Sequence, residues 1–203
     1  MWFRLLSRDG RGWTMRVGAA VGAALALAMA GCGADYVEDS RAPVYLQIQS
    51  INGGAQLDSD VRNGEFSSFV CENEVDVAVT VLNKNPNGPT AASSSVQLES
   101  YEIRYTRTDG RGTEGIDVPY RITGNLALTV EVGGDATFPL EVVRRQAKLD
   151  PPLNNISQTT IVTVSAQVTL YGKTVAGERL SASGRFQIDF ADFGDQEESC
   201  PTN

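Results

Sequence analysis

The stretch Thr160-Ile161-Val162-Thr163-Val164-Ser165-Ala166-Gln167-Val168-Thr169-Leu170-Tyr171 alternates in character over most of its length. Val162, Val164, Ala166, Val168 and Leu170 share one parity, and Thr163, Ser165, Gln167 and Thr169 share the other. A β-strand turns successive side chains to opposite faces, so a period of two predicts a strand with one buried face. Its neighbour follows a turn at Gly172-Lys173 or Ala176-Gly177, where Leu180, Ala182, Phe186, Ile188 and Phe190 return as the last strand.

The same period recurs upstream. Val44, Leu46 and Ile48 mark a first strand and Val75, Val77, Val79 and Val81 a second. The third opens with Val96 and Leu98 but continues with Tyr101, Ile103 and Tyr105, so its apolar parity changes near Glu99-Ser100 and a bulge is expected there. Leu126, Leu128, Val130 and Val132 make a fourth strand, and Ala136, Phe138, Leu140 and Val142 a fifth. Pro139 assigns the fifth to a sheet edge or a bulge, because it cannot donate to a ladder. No segment after residue 43 shows a helical period. The expected fold is all-β: a single seven-stranded antiparallel β-sandwich over residues 44–190, after an N-terminal signal segment.

Residues 15–32 supply that segment. Arg16 precedes an apolar run over 17–30, too short for the roughly 20 residues of a spanning helix, and Ala30-Gly31-Cys32 end it. This order predicts export. Trp2, Phe3 and Trp13 among Arg4, Arg8 and Arg11 form a long preface, which leaves Met15 as an alternative start. Residues 1–31 are thus read as a signal peptide, 32–43 as a tether reaching at most about 35 to 40 Å, and 191–203 as an acidic tail.

Met29-Ala30-Gly31-Cys32 resembles the lipobox of bacterial lipoproteins. The resemblance implies that the Cys32 thiol receives a diacylglycerol and becomes the mature N-terminus. Gly33, where retention at an inner membrane favours Asp, implies an outer-membrane destination. Each buried acyl methylene contributes about 0.8 kcal/mol, so several chains would hold the protein permanently. In the domain, Tyr101-Glu102-Ile103-Arg104-Tyr105 and Gly134-Asp135-Ala136-Thr137-Phe138-Pro139-Leu140 resemble strands of fibronectin type III domains, which implies an immunoglobulin-like or fibronectin type III-like layout. The chain departs from that pattern in its lack of a core tryptophan, since Trp2 and Trp13 lie in the leader.

Composition narrows function. The chain of 203 residues has a net charge of −8 and no histidine. Removal of residues 1–31 takes away four arginines and one aspartate, leaving 13 basic and 24 acidic residues, a net charge of −11. Such a chain is a poor partner for nucleic acid, whose binding depends on neutralising phosphates. Without histidine, the side chain most used for proton transfer near neutral pH is missing. With Cys32 acylated, Cys71 and Cys200 are expected to form a disulfide, two unpaired thiols being the alternative. If seven strands alternate in direction, Cys71 and Cys200 fall at one membrane-distal pole, together with the connections 52–74, 108–125 and 144–159.

The chemistry-bearing candidates are few. Asp58, Asp60, Asn63 and Glu65 are hard oxygen donors of the kind calcium prefers, although their spacing is not that of an EF-hand and also suits a polar turn. Arg144, Arg145 and Lys148 form the positive cluster outside the leader and offer a surface for an acidic partner, or are merely solvated. Asp109-Gly110-Arg111-Gly112 reads as a hairpin turn. No motif of nucleophilic, phosphate-binding or thiol chemistry is present. The expected role is a non-enzymatic binding or scaffolding module without cofactor, anchored through lipid and acting with another envelope protein. Carbohydrate or calcium binding is the alternative, and a carboxylate hydrolase a third.

Overall fold

A computed structural model describes residues 41–61, 70–157 and 159–193. Among these residues the strands are β1 (Val44–Ile51), β2 (Leu57–Asp60), β3 (Asn73–Asn83), β4 (Val96–Arg107), β5 (Ile122–Val130), β6 (Asp135–Val143), β7 (Val162–Thr174) and β8 (Arg179–Ala191), with a short helix, α1 (Arg145–Leu149). They form a three-stranded sheet, β1-β3-β6, and a five-stranded sheet, β2-β8-β7-β4-β5. The valine-rich alternation of β3 and β7 works as expected: Val77, Val79 and Val81 face Val164, Val168 and Leu170 in one core, all with essentially no exposure.

The expected single seven-stranded antiparallel sandwich requires correction. All seven strands are present, but an eighth, β2, pairs in parallel with β8, from Leu57 beside Ile188 to Asp60 beside Ala191. The five-stranded sheet is therefore mixed and strongly curled, like half a barrel. Leu57 is the one apolar side chain in β2, too little for a periodic signal. What recruits it is the outer edge of β8, whose backbone groups would otherwise lack a neighbour. Val61 extends this pairing, its N–H donating to the Ala191 carbonyl at 3.0 Å. Helix α1 has five residues, a single turn and a half, which leaves no room for a helical period to show.

The parity change in the third expected strand is real. The register of β4 shifts between Leu98 and Ser100 against both of its neighbours. That irregularity lets Leu98 and Ile103 both point inward, at 1% and 0% exposure, despite opposite parity. Pro139 does lie on an edge strand, since β6 ends the three-stranded sheet. The sheets are also tied by a polar contact: the buried Tyr105 hydroxyl donates to the Val142 carbonyl at 2.7 Å. Burial pushes this phenol up from its ordinary pKa. On the opposite side, Gly184 gives β8 room beside β1, where an added Cβ would meet Ile51 Cδ1 at 3.0 Å.

Candidate functional site

One pole of the domain gathers the start of β3, the end of β4, the start of β5, the end of β6, the start of β7 and the end of β8. The pairs Asn73 with Val143, Ile103 with Ile122, Arg107 with Val164 and Val162 with Phe190 place them together. Two long connections, 108–121 and 144–161, cover it. Their meeting is visible in a hollow of about 210 Å³ lined by Arg107 at the end of β4, by Asp117 from the first and by Leu153, Ile156 and Thr160 from the second.

The connection 108–121 is built on charge. Gly110 takes a positive φ of 87° at the turn, and its N–H donates to the Arg107 carbonyl at 2.9 Å, so the expected hairpin turn is present. Asp109 then binds Arg111 at 2.7 Å and Arg107 at 3.2 Å, while Arg111 also reaches Asp117 at 3.6 Å. Hydrogen bonds from Arg111 hold the Asp109 carboxyl down at a pKa of about 2. With its polar groups satisfied internally, the loop turns apolar side chains outward. Ile116 is 72% exposed and Tyr120 66%.

The basic cluster does not act as one surface. Arg144 is exposed and reaches Glu141 at 3.5 Å and the Thr123 carbonyl at 3.4 Å. Arg145 is exposed, and it too is engaged. Lys148 points the other way: it is 2% exposed, and burial brings its amine down to a pKa of about 8 against the opposing pull of the Asp60 and Glu72 carboxylates. The expectation that Lys148 lines an outer basic patch is corrected accordingly. On this short helix Ala147 and Lys148 pack inward, while Arg144, Arg145 and Gln146 at its start stay exposed.

Two of the four oxygen donors, Asp58 and Asp60, are described, and they share the face of β2 opposite the buried Ser59. Asp58 is exposed on β2 and accepts from Gln56 Nε2 at 3.2 Å, and Asp60 accepts the Phe193 N–H at 3.4 Å on the side of Lys148. Between them the Ser59 hydroxyl, fully buried, donates to Asn73 Oδ1 at 2.7 Å. Asn63 and Glu65 lie outside the described residues, as do Cys32 and Cys200. Cys71 is disulfide-bonded. Among the described residues, no group of three or more acidic, cysteine or histidine side chains stands together as a metal would require.

The residues that sequence reading missed are apolar. Of the nine large hydrophobics exposed among the described residues, Ile116, Tyr120, Leu149, Ile161 and Phe193 belong to this pole. Their signal was available: Ile116 and Tyr120 sit in a turn-rich connection, with no strand to bury them. A second hollow, of about 390 Å³, lies at the β4 irregularity and is lined by Ser100, Tyr101, Glu102, Thr123, Asn125 and Tyr171.

No family model and no curated protein matches the chain. Among solved structures it is similar to a late embryogenesis abundant (LEA) protein determined in solution, at 10% identity over 88% of both chains and a TM-score of 0.42. It is also similar to an X-ray structure of a Northeast Structural Genomics Consortium target, at 11% identity over 79% of this chain and 97% of that one, with a TM-score of 0.37. The expected resemblance to bacterial lipoproteins with an immunoglobulin-like or fibronectin type III-like domain is corrected in its domain layout by the strand order. A mixed arrangement of eight strands in two sheets, with β2 parallel to β8, replaces the seven-stranded antiparallel one.

Proposed function

We propose that this domain is a non-enzymatic binding module of a cell envelope that takes another envelope protein on its loop pole, as an accessory subunit. The observation that carries the reading is the placement of Ile116, Tyr120, Leu149, Ile161 and Phe193 at one end, exposed beside the cationic Arg144. Aromatic and aliphatic side chains rimmed by charge are the composition of a protein contact, and exposing them costs solvation that a partner recovers. The charge order and Cys32 ending of residues 15–32 support export and a lipid tether, with an outer membrane as the destination. A Cys71–Cys200 bond would brace the same pole, because β8 ends beside the start of β3. The Ser59–Asn73 bond and the Asp60–Phe193 bond bring these two ends together.

The test is an affinity pull-down of the full chain from gently solubilised envelopes. Wild type is expected to retain a stoichiometric protein that an Ile116→Asp/Tyr120→Asp variant loses and an Arg144→Glu/Arg145→Glu variant holds more weakly. Equal recovery by all three, or none by wild type, overturns the reading. Cys32→Ser should move the protein to the soluble fraction, and continued pelleting would refute the tether. A carbohydrate is the second reading. It is favoured by the hollow at the β4 irregularity, where Tyr171, 42% exposed, stands beside hydrogen-bonding groups of Ser100, Glu102 and Asn125.

A further inference from the structure

Four strands end a sheet among the described residues, and two of them are guarded. The strand β6 carries Pro139 with Asp135 and Glu141. The strand β2 has four residues, two of them aspartates. The strand β1 has neither charge nor proline within it, but Pro43 immediately precedes it and no pair of opposite charges flanks it. Charges, proline and short length are how sheet edges avoid pairing with other chains. The strand β5, Ile122-Thr123-Gly124-Asn125-Leu126-Ala127-Leu128-Thr129-Val130, is nine residues long and contains no charge and no proline. Its outward residues are small or polar, while Leu126 and Leu128 on the inner side are partly buried against the core. At one end the Thr123 carbonyl accepts from the Arg144 guanidinium, a side chain standing where a neighbouring strand would pair.

We propose that β5 is the interface for a second copy of this chain, paired antiparallel about a two-fold axis at Leu126, so that the two five-stranded sheets join. Three features select this register. It overlaps residues 122–130 of both copies completely and matches inner with inner residues, Ile122 with Val130 and Gly124 with Leu128 of the other copy. It sets Arg121, just before β5, opposite Glu131, just after it, and does so twice by symmetry. Arg121 is 48% exposed at its side chain while holding Glu102 at 3.5 Å and Glu114 at 3.1 Å, so Glu131 of the other copy would add a third carboxylate to its planar fork. Finally, the register places the irregularity, where Leu126 and Ala127 together oppose the single residue Glu99 of β4, at the centre of the interface in both copies. An interface of this kind is self-complementary, as two-fold symmetry requires.

Sedimentation velocity of the full chain over a concentration series decides the matter. Wild type is expected to show a concentration-dependent dimer. Glu131→Arg, which faces Arg121 with a second cation, should weaken it about tenfold or more, and Arg121→Glu/Glu131→Arg should restore it. Asn125→Pro removes an edge donor on the Thr123 side of the bend and should abolish the dimer while the monomer keeps its thermal transition. Oxidation of Leu126→Cys should link two copies through residue 126 itself. A monomer at every concentration, or a dimer indifferent to Glu131→Arg and Asn125→Pro, overturns the proposal. So does exclusive pairing of β5 with an extended segment of a different protein.

Discussion

Lys148 decides whether buried charge supports this fold or burdens it. Its amine is 2% exposed on α1, and burial brings its pKa from 10.5 to about 8 although Asp60 and Glu72 pull the other way. A displacement of that size corresponds to roughly 3 kcal/mol of preference for the neutral form in the folded state. The sign follows from proton counts. Below pH 8 the amine is charged in both folded and unfolded chains, and the folded state bears the full desolvation cost. Between pH 8 and 10.5 the unfolded chain binds more protons, so this group makes stability rise with pH, by up to about 1.4 kcal/mol per pH unit. Above 10.5 its contribution is level. Lys148→Met keeps the stem and removes the charge. At pH 7 it should therefore be more stable than wild type by about 2 to 3 kcal/mol, with the gap closing by pH 10.5. Urea denaturation of both proteins from pH 6 to 11 measures this, and other titrating groups cancel in the difference. A variant that is less stable at pH 7 would refute the reasoning, because it would mean that the ammonium's attraction to Asp60 and Glu72 outweighs its burial.

Other consequences concern packing. Gly172→Ala would set a Cβ 2.5 Å from the Gln97 carbonyl oxygen, which is backbone, whereas Gly124→Ala would meet the ring of Tyr101 at the same distance. The first should cost more than the second by thermal denaturation, about 3 kcal/mol against 1, because a ring can swing aside and a strand cannot. Tyr105→Phe removes the hydroxyl that Val142 accepts and should cost about 1 to 3 kcal/mol, as it leaves a buried carbonyl without its donor. Ser59→Ala breaks the bond to Asn73 and should raise hydrogen exchange in β2 before it affects β7, and uniform exchange across both strands would count against an independently held β2.

The strands of the core were legible because each repeats its apolar side chain several times. Five inward residues of one parity in Val162 to Leu170 leave no other period, and the switch at Glu99-Ser100 reveals the irregularity of β4 for the same reason. The strand β2 escaped because a four-residue edge strand with one leucine has nothing to repeat. Ser59 is buried there without being apolar, since its hydroxyl is satisfied by Asn73. Lys148 escaped because a cation is ordinarily solvated, and its inward turn depends on where a one-turn helix lands on the core. The candidate site was read through its charges, whereas the geometry distributes those charges inward and along the loop and leaves Ile116, Tyr120 and Ile161 outside.

By itself the sequence determined the mainly β character, seven strand positions, the β4 irregularity and the edge placement of Pro139. Each follows from local sterics and a period of two, which act between residues a few positions apart. Tertiary structure alone decided that β2 runs parallel to β8, that Lys148 faces inward beside Asp60, and that β5 is left as an uncharged edge. Those outcomes depend on which backbone groups and which carboxylates arrive from distant parts of the chain, Asp60 and Glu72 both from more than seventy residues before Lys148, and no local pattern encodes that meeting.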